Sequence, residues 1–288
     1  LGREGKALLA DLDPDATIGD LYQSGGFTAG FLDDYLVPMA AAIWSVPRQA
    51  LLGFPARFFL RFFDNHGMLD LRQRPQWRTV EGGSRKYIEA MMGVLGRSAR
   101  TSKRVVSVRR AADGIIVNTT DAQEVFDQVI LTAHADQSLA MLTDASDAER
   151  EVLGSLPYQA NEVVLHTDCR LLPRRRRCWA AWNYRLTGDP ARPAAVTYNM
   201  TMLQGLGTRT PLCVSLNDTE AIDPSLILSR FTYHHPVYSL AGDRARARWQ
   251  EISGVSRTHY CGAYWGNGFH EDGVVSALRV CERLGVSL

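Results

Sequence analysis

The segment Tyr260–Gly273 constrains the fold more than any other part of this sequence. Residues 258–263 are typical of a strand, and the glycine-containing loop over residues 264–271 leads into a helix with Asp272 as its predicted N-cap. Helical spacing predicts a buried face made of Val274, Ala277, Leu278, Cys281 and Leu284. Gly285 is the predicted stop signal. The segment therefore predicts a strand, a loop and a helix in direct succession.

A strand that ends in glycine before a helix favours binding of an electron-rich group. The first turn of a helix has unpaired N–H groups, and its peptide dipoles add about half a positive charge there. Gly266 and Gly268 let the backbone approach a ligand closely, and Tyr264, Trp265 and Phe269 are able to pack on a flat ring. The pattern also fits an ordinary strand–loop–helix corner filled by aromatic side chains, so both interpretations stay open on the residues alone.

The N-terminal part of the chain is predicted to be helical. Residues 1–80 show mostly helical patterns, with a kink expected at Pro38 and a helix expected to begin at Pro55. Residues 82–84 combine a glycine break with a serine N-cap, and the following helix is predicted to reach Leu95.

The middle of the chain is predicted to be rich in strands. Residues 104–109, 114–119 and 124–131 carry β-branched side chains separated by turn signals. Residues 136–157 have a helical pattern, and residues 162–216 return to strands. The chain therefore alternates between helical and strand-rich stretches.

Composition argues against several classes of protein. The 288 residues carry a formal net charge of +1, and no basic face with interleaved aromatic residues indicates a nucleic-acid partner. The five cysteines form no C-x-x-C pair, which indicates reduced thiols in a cytoplasmic protein. No apolar run approaches the ~20 residues that span a bilayer, and no signal peptide opens the chain. We therefore expect a cytoplasmic protein without a transmembrane segment.

The histidine-containing clusters do not predict a metal site. His270, Glu271 and Asp272 are adjacent in a loop, where neighbouring side chains rarely converge on one atom. His234 and His235 have no helical H-x-x-x-H pattern to supply the three or four ligands that a metal needs. We expect these two histidines to make a structural hydrogen bond or to line a cavity.

Several stretches in chain order resemble one family. The loop Gly268–Gly273, followed by the small-residue helix start Val274–Ala277, is similar to the C-terminal FAD signature of flavin amine oxidases and phytoene-desaturase-like enzymes. Residues 77–84, 197–204 and 233–238 agree with an uncharacterised bacterial branch of FAD/NAD-binding proteins. The resemblance covers nearly the whole chain, which makes it more specific than any single motif. It implies a flavin whose reduced ring carries charge at an edge that a helix N-terminus stabilises.

The resemblance implies a set of cofactor contacts in this sequence. Val105 is implied to meet the adenine through its backbone, and Thr132 and Ala133 to lie near the pyrophosphate. Gly262 and Ala263 match the strand end beneath the ribityl and phosphate region. The residues implied to lie near the flavin ring are Gly268, Phe269, His270, Glu271, Asp272, Gly273 and Val274. The aromatic residues implied to line a substrate cavity are Trp179, Trp182, Tyr184 and Trp265. For the first three of these, a sheet core is the alternative.

The sequence departs from the family pattern in two ways. The dinucleotide fingerprint G-x-G-x-x-G, with an acidic residue about twenty positions on, is absent and is expected ahead of Leu1. Because those residues hold the pyrophosphate and the ribose, we expect weak FAD binding or none by this chain alone. The family's amine oxidases use a lysine near the flavin, and Lys6, Lys86 and Lys103 do not stand in a matching context. Desaturation or isomerisation is therefore favoured over amine oxidation, and the sequence identifies no catalytic acid or base.

The stretch Phe54–Phe63 is the most apolar in the chain and is interrupted by Arg57 and Arg61. The favoured interpretation is a buried helix whose two arginines reach solvent. The alternative is peripheral contact with a membrane that supplies a lipid substrate. The four arginines at 174–177 indicate a solvated turn.

The predicted fold is α/β, with an incomplete glutathione-reductase-like Rossmann domain that binds FAD, interleaved with an α+β substrate domain. Residues 81–140 and 240–288 are assigned to the FAD domain, and residues 1–80 (helical part) and 141–239 (sheet part) to the substrate domain. The predicted function is FAD-dependent hydride removal from, or isomerisation of, a small hydrophobic molecule, with this chain as a fragment. The alternative is a non-catalytic truncated relative that acts as a binding or interaction module.

Overall fold

The computed structural model describes residues 9–45, 48–70, 76, 78–185 and 195–287. Contacts divide the chain into a first unit, Leu1–Gly96 with Gln159–Val237, and a second unit, Arg97–Tyr158 with Tyr238–Leu288. The chain thus passes three times from one unit to the other. The assignment of a cofactor or substrate role to particular ranges stays a prediction.

The helices of the described residues are α1 (Ile18–Ser24), α2 (Ala29–Phe31), α3 (Val37–Trp44), α4 (Arg48–Leu52), α5 (Ala56–Asn65), α6 (Arg85–Leu95), α7 (Ala135–Met141), α8 (Asp147–Gly154), α9 (Met200–Leu203), α10 (Leu240–Ala247), α11 (Trp249–Ile252) and α12 (His270–Arg283). The strands are β1 (Val105–Ala111), β2 (Gly114–Thr119), β3 (Gln123–Phe126), β4 (Val129–Leu131), β5 (Tyr158–His166), β6 (Trp182–Arg185), β7 (Ala195–Asn199), β8 (Cys213–Leu216), β9 (Ile227–Pro236) and β10 (Thr258–Tyr260).

The first unit contains a sheet of five strands in the order β6-β7-β8-β5-β9. Strand β7 pairs antiparallel with β6 and with β8, and β5 pairs antiparallel with β8. The strands predicted between residues 162 and 216 are confirmed, and β6 begins at Trp182. Strand β9 was not predicted, because it lies at the sheet edge with most of its residues exposed and lacks a clear apolar alternation.

The kink expected at Pro38 takes the form of a π-helical turn over Leu32–Leu36, between α2 and α3. The N–H of Val37 bonds to the carbonyl of Leu32, five residues back. Proline has no N–H and cannot bond the carbonyl four residues before it, so regular α-helical pairing fails at this point. The wider π-helical turn just before Pro38 accommodates the missing hydrogen bond.

Helix α5 confirms that the apolar stretch is buried. It begins at Ala56 with Pro55 at the N-cap position. The side chains with at most 1% of their surface exposed are Phe59, Leu60, Phe62 and Phe63. Arg61 is exposed, and Arg57 donates to the carbonyl of Leu12 at 3.1 Å. These phenylalanines belong to the core of the first unit, so they are not available to a membrane. Among the described residues, no helix is long and apolar enough to span a bilayer.

Helix α6 covers the predicted range up to Leu95, but the side chain of Ser84 makes no cap hydrogen bond. All residues of α6 are exposed. Its apolar side chains include Met91, which is 56% exposed, and Val94, which is 89% exposed. Within the described part of the chain, this helix therefore has an uncovered apolar side.

The second unit contains two small sheets. Strands β1, β2 and β3 form an antiparallel meander, and β4 pairs with β10 in parallel. The single strand predicted over residues 124–131 is wrong, because the chain breaks at residues 127–128 and its two halves join different sheets. The helical prediction for residues 136–157 is confirmed as α7 and α8, with a capping box between Ser146 and Glu149 at the start of α8.

Helix α12 begins earlier than predicted, and its predicted buried face is right only in part. Phe269 occupies the N-cap position, and Asp272 is the third helical residue. Ala277 packs against the core of the second unit, whereas Val274 is 51% exposed and Leu284 is 38% exposed. The buried side chains are Ser276 and Val280. Ser276 is buried because its hydroxyl accepts a hydrogen bond from the N–H of Gly262, just after the end of β10. The apolar periodicity of the helix does not predict such a bond.

Candidate functional site

The ends of two parallel strands form the centre of the candidate site. Leu131 of β4 lies opposite Tyr260 of β10, and the N–H of Cys261 donates to the carbonyl of Leu131 at 3.1 Å. Residues 132–133 and 262–263 therefore leave the sheet side by side. In α/β proteins, ligands bind at the carboxyl ends of parallel strands. The structure thus brings together four of the predicted cofactor residues, and their contact with a cofactor stays a prediction.

Gly262 begins the turn from β10 into α12. Its N–H donates to Ser276 Oγ at 2.8 Å, and that hydroxyl donates to the carbonyl of Gly273 at 2.8 Å. A Cβ on Gly262 would lie 2.5 Å from the ring of Tyr264, so packing within the chain requires glycine here. The two hydrogen bonds fix the start of α12 against the strand end.

The other glycines of the loop fall into two groups. A Cβ on Gly266 would collide with the Asp272 carboxylate, and Gly268 has a φ of 92°, which favours glycine. The packing and backbone conformation of the loop itself explain glycine at both positions, as expected for an ordinary strand–loop–helix corner filled by aromatic side chains. Gly273 is different, because a Cβ there would meet only the backbone nitrogen of Ala263, at 3.9 Å. Glycine at this helical position leaves the helix backbone uncovered beside the ends of β4 and β10. We call this feature the bare surface at Gly273.

The start of α12 has little excess positive potential. Asp272 Oδ2 accepts from the N–H of Phe269 at 3.0 Å, and Glu271 adds a second carboxylate in the first turn. These negative charges offset the helix dipole. His270 and Glu271 are exposed, and Val274 presents an apolar side chain. The surface fits a flat, largely apolar ring better than it fits a phosphate.

Two aromatic side chains lie beneath this loop, in the turn Ala263–Trp265. Tyr264 is 4% exposed and Trp265 is 7% exposed, and their ring centroids are 5.1 Å apart. Burial raises the pKa of the Tyr264 hydroxyl far above its usual range. Tyr264 Oη and Trp265 Nε1 have no hydrogen-bond partner among the described residues. Trp265 packs in the core of the second unit, and the substrate-cavity role implied for it stays a prediction.

A buried polar cluster that the sequence does not predict supports strand β10. The Tyr260 hydroxyl donates to Glu149 Oε1 at 2.5 Å, and Glu149 also forms an ion pair with Arg110. Arg110 Nε donates to Thr258 Oγ1 at 3.1 Å, and its guanidinium pairs with Asp144 at 3.0 Å. The side chain of Glu149 is 5% exposed, so this carboxylate is held by its partners and not by water. No sequence signal joins these residues, because they lie far apart in the chain.

The aromatic residues predicted for the substrate cavity of the first unit are partly buried. Trp182 and Tyr184 lie two residues apart on β6 and pack with Tyr198 against Val196. The Trp182 and Tyr198 rings meet edge to face at 5.8 Å. Trp179 lies outside the strand and donates through Nε1 to the carbonyl of Pro173 at 2.8 Å. Trp182 and Tyr184 thus take part in sheet packing, and the cavity role of all three residues stays a prediction.

A serine–histidine pair in the first unit resembles a nucleophile and its base, but its hydrogen bonds rule that out. His166 Nδ1 accepts from the N–H of Asp168 at 3.0 Å, so the ring proton is on Nε2. Nε2 lies 2.8 Å from Ser215 Oγ, to which it must donate. The histidine therefore cannot take the serine's proton, and both residues have no exposed surface. This cluster is structural.

The remaining predicted cofactor residue, Val105, is the first residue of β1 and packs against the core of the second unit. A flavin dinucleotide has a flat ring, a ribityl chain, a pyrophosphate and an adenosine. The bare surface at Gly273 and the neighbouring strand ends fit the ring-side half of such a molecule. The sequence contains no G-x-G-x-x-G turn to hold the pyrophosphate, so the residues present fit the cofactor in part.

Comparison with known proteins identifies a family. The family model described as flavin containing amine oxidoreductase matches residues 32–234. No curated protein sequence matches the chain.

Similar solved structures include a CLA-producing fatty acid isomerase from P. acnes, with a TM-score of 0.58 and 16% identity over 99% of this chain and 75% of the isomerase. Cyclohexylamine oxidase from Brevibacterium oxydans has a TM-score of 0.62 and 11% identity over 98% of this chain and 74% of its own. A putrescine oxidase double mutant has a TM-score of 0.66 and 12% identity over 98% of this chain and 72% of its own. At these identities the likeness concerns the fold, and it confirms the predicted α/β class.

Proposed function

The chain belongs to the flavin containing amine oxidoreductase family, and on that basis we propose that it is the larger part of an FAD-dependent oxidoreductase. The reaction removes hydride from, or isomerises, a small hydrophobic molecule. The observation that carries the proposal is the bare surface at Gly273, beside the ends of two parallel strands. Within this family, such a surface is suited to the ring of the flavin.

The residues of this chain have supporting roles in that proposal. Bound FAD supplies the capacity to accept and return hydride. Gly273 gives the ring close access to the helix, and Val274 adds apolar contact. Ser276 holds the turn at Gly262 so that the helix start and the strand end keep their spacing. These residues bind and orient; none of them is assigned as an acid or a base.

The lysines and the similar structures support the proposed substrate class. Lys86 is 61% exposed and forms an ion pair with Glu89, and Lys103 pairs with Asp121 at the surface. Lys6 lies outside the described residues. The surface positions of Lys86 and Lys103 support a reaction other than amine oxidation. The likeness to a fatty acid isomerase supports a hydrophobic substrate, of which a lipid is one form.

One observation favours the alternative of a non-catalytic binding module. The apolar side of α6 is uncovered, with Val94 89% exposed, and such surfaces mark interaction sites. The parent reading frame distinguishes the two functions. We expect it to encode a G-x-G-x-x-G strand, turn and helix upstream of Leu1, and a natural start at this residue would favour the module.

A flavin titration of the chain tests the proposed site. Gly273→Val places a branched side chain on the bare surface, and we expect it to weaken FAD binding about tenfold, measured by quenching of flavin fluorescence. Gly154→Val is the matched control, because Gly154 is also a helical glycine with no atom near its Cβ position. Equal flavin affinity in the two variants would remove Gly273 from the site.

A further inference from the structure

An open groove with a volume of about 530 Å³ lies between α12 and the short helices α10 and α11, all within the second unit. Its lining includes three arginines, a tryptophan and one carboxylate: Arg246, Arg279, Arg283, Trp249 and Glu282. Arg279 and Arg283 follow Gly273 on the same helix by six and ten residues. At the rise of an α-helix, this places them roughly 9 Å and 15 Å further along its axis. The groove is therefore separate from the bare surface at Gly273.

The side chain of Arg283 is fixed in the groove by its neighbours. Its Nη1 donates to the carbonyl of Ser253, and its guanidinium lies 4.8 Å from the centre of the Trp249 ring. A Cβ on Gly254 would lie 2.6 Å from Nη1, so glycine makes room for this group. A guanidinium has five N–H donors, and among the described residues the Ser253 carbonyl is the one acceptor that bonds it. The other donors are left for a ligand.

The groove has more positive than negative charge. Arg246 pairs with Asp243 at 2.8 Å, whereas no described carboxylate lies within ion-pair distance of Arg279 or Arg283. The helix dipole favours a cation at Arg283, the last residue of α12, but Arg279 is one turn earlier, and like charges four residues apart on a helix repel each other. Two guanidiniums thus face one groove without an anion between them.

We propose that this groove binds a sugar phosphate, with the phosphate between Arg279 and Arg283. A carboxylate presents one edge, which matches one guanidinium fork, whereas the three unesterified oxygens of a phosphate monoester are able to bind two forks at once. Glu282 is exposed and forms no ion pair with a described residue, so its carboxylate is available to accept from the sugar hydroxyls. Trp249 supplies an apolar wall for the carbon atoms of the sugar.

Equilibrium dialysis of the full 288-residue chain tests the proposal with three probes: ribose 5-phosphate, inorganic phosphate and gluconate. The buffer has physiological salt, where the Debye length is about 8 Å and attraction between distant charges is screened. We expect ribose 5-phosphate to bind about tenfold more tightly than inorganic phosphate, because the sugar adds contacts with Glu282 and Trp249. Gluconate has hydroxyls and a carboxylate but no phosphate, and we expect it not to bind.

Replacing one guanidinium should weaken binding. We expect Arg279→Gln to lower the affinity for ribose 5-phosphate about tenfold or more. Arg150→Gln is the matched control, because Arg150 is an exposed arginine on α8 of the same unit and does not line the groove. Both variants change the net charge equally, so only a local role separates them. The control should bind ribose 5-phosphate like the wild type.

Replacing the carboxylate should separate the sugar from the phosphate. Glu282→Ala removes an acceptor for hydroxyls and a negative charge near the phosphate. We expect it to weaken binding of ribose 5-phosphate and to leave binding of inorganic phosphate unchanged or tighter. If both probes lose affinity equally, the sugar is not held by Glu282 and the proposal is overturned.

The remaining outcomes decide whether the groove is the site. Absence of ribose 5-phosphate binding overturns the proposal, and so does gluconate binding of equal affinity, which would indicate a site for acids in general. Equal weakening by Arg279→Gln and Arg150→Gln would show that only net charge matters, and it also overturns the proposal. Gly273→Val should leave ribose 5-phosphate binding unchanged, whereas loss of binding in that variant would place the ligand at the proposed flavin surface instead.

Discussion

The Tyr260 hydroxyl donates a hydrogen bond of 2.5 Å to Glu149 inside the second unit. This bond joins α8 to the last residue of β10, one position before Cys261 and two before the turn at Gly262. Burial, with the hydrogen bond to Glu149, raises the pKa of Tyr260 far above its usual range, so the hydroxyl stays protonated and keeps donating. The buried cluster around Glu149 therefore fixes the end of β10 at the candidate site.

Replacing Glu149 by glutamine should unfold the protein more easily. Glu149→Gln removes the charge that pairs with Arg110 inside the protein, and we expect a loss of about 3 kcal/mol in the free energy of unfolding. The control is Glu151→Gln on the same helix, where the side chain is 64% exposed and pairs with Arg248. We expect that variant to unfold in urea like the wild type, because a surface ion pair adds little to stability. Similar losses in both variants would show that the buried cluster adds no more stability than the exposed ion pair.

The hydroxyl of Ser276 should be important for the turn at Gly262. Ser276→Ala leaves the N–H of Gly262 without its 2.8 Å partner, and we expect a loss of about 1–3 kcal/mol in the free energy of unfolding. Ser155→Ala removes an exposed hydroxyl that donates to the carbonyl of Glu151 at 2.7 Å, and it should change the same quantity by about 0.5 kcal/mol or less. A Ser276→Ala variant as stable as this control would contradict the role given to Ser276.

The sequence predicted elements that depend on local rules. The helix from Pro55, the kink at Pro38 and the strand beginning at Thr258 follow from proline chemistry and from residue pattern, although that strand ends at Tyr260 and not at Ala263. It did not predict that residues 124–131 divide between two sheets, since that division depends on the pairing of β4 with distant β10.

Long-range contacts also explain what was missed at the candidate site. The buried face of α12 was predicted only in part, because Ser276 is buried by its bond to Gly262 and not by its hydropathy. Arg110 and Tyr260 meet Glu149 from positions 39 and 111 residues away in the chain. A single sequence carries no signal for such meetings, whereas the glycine loop before α12 is visible because it is local.

His166 should make stability depend on pH. Burial lowers its pKa below the value of about 6.5 that it has when unfolded. Above pH 6.5, His166 is neutral in both the folded and the unfolded chain, so its full contribution to stability is present. As the pH falls below 6.5, the unfolded chain binds a proton at His166 that the folded chain does not bind, and the folded state loses stability. We therefore expect acidification to lower the free energy of unfolding, by at most about 1.4 kcal/mol per pH unit for this residue.

The measurement for this prediction is urea unfolding at pH 8 and pH 5. His166→Gln should reduce the difference between the two pH values, even though it lowers stability at both. Ser155→Ala is the control, because it removes no titrating group, and it should leave the difference unchanged. If His166→Gln unfolds with the same pH dependence as the wild type, the buried histidine is not the source of the effect.

We propose that Gly262–Val274 is the ring-side part of a flavin site, and the phosphate-binding G-x-G-x-x-G turn is absent from these 288 residues. Equilibrium dialysis of the chain against FAD and against riboflavin tests this most directly, because riboflavin has the ring and the ribityl chain without phosphates or adenosine. We predict that both bind weakly and that their dissociation constants agree within about tenfold, or about 1.4 kcal/mol. Stoichiometric FAD binding that is far tighter than riboflavin binding would contradict the claim.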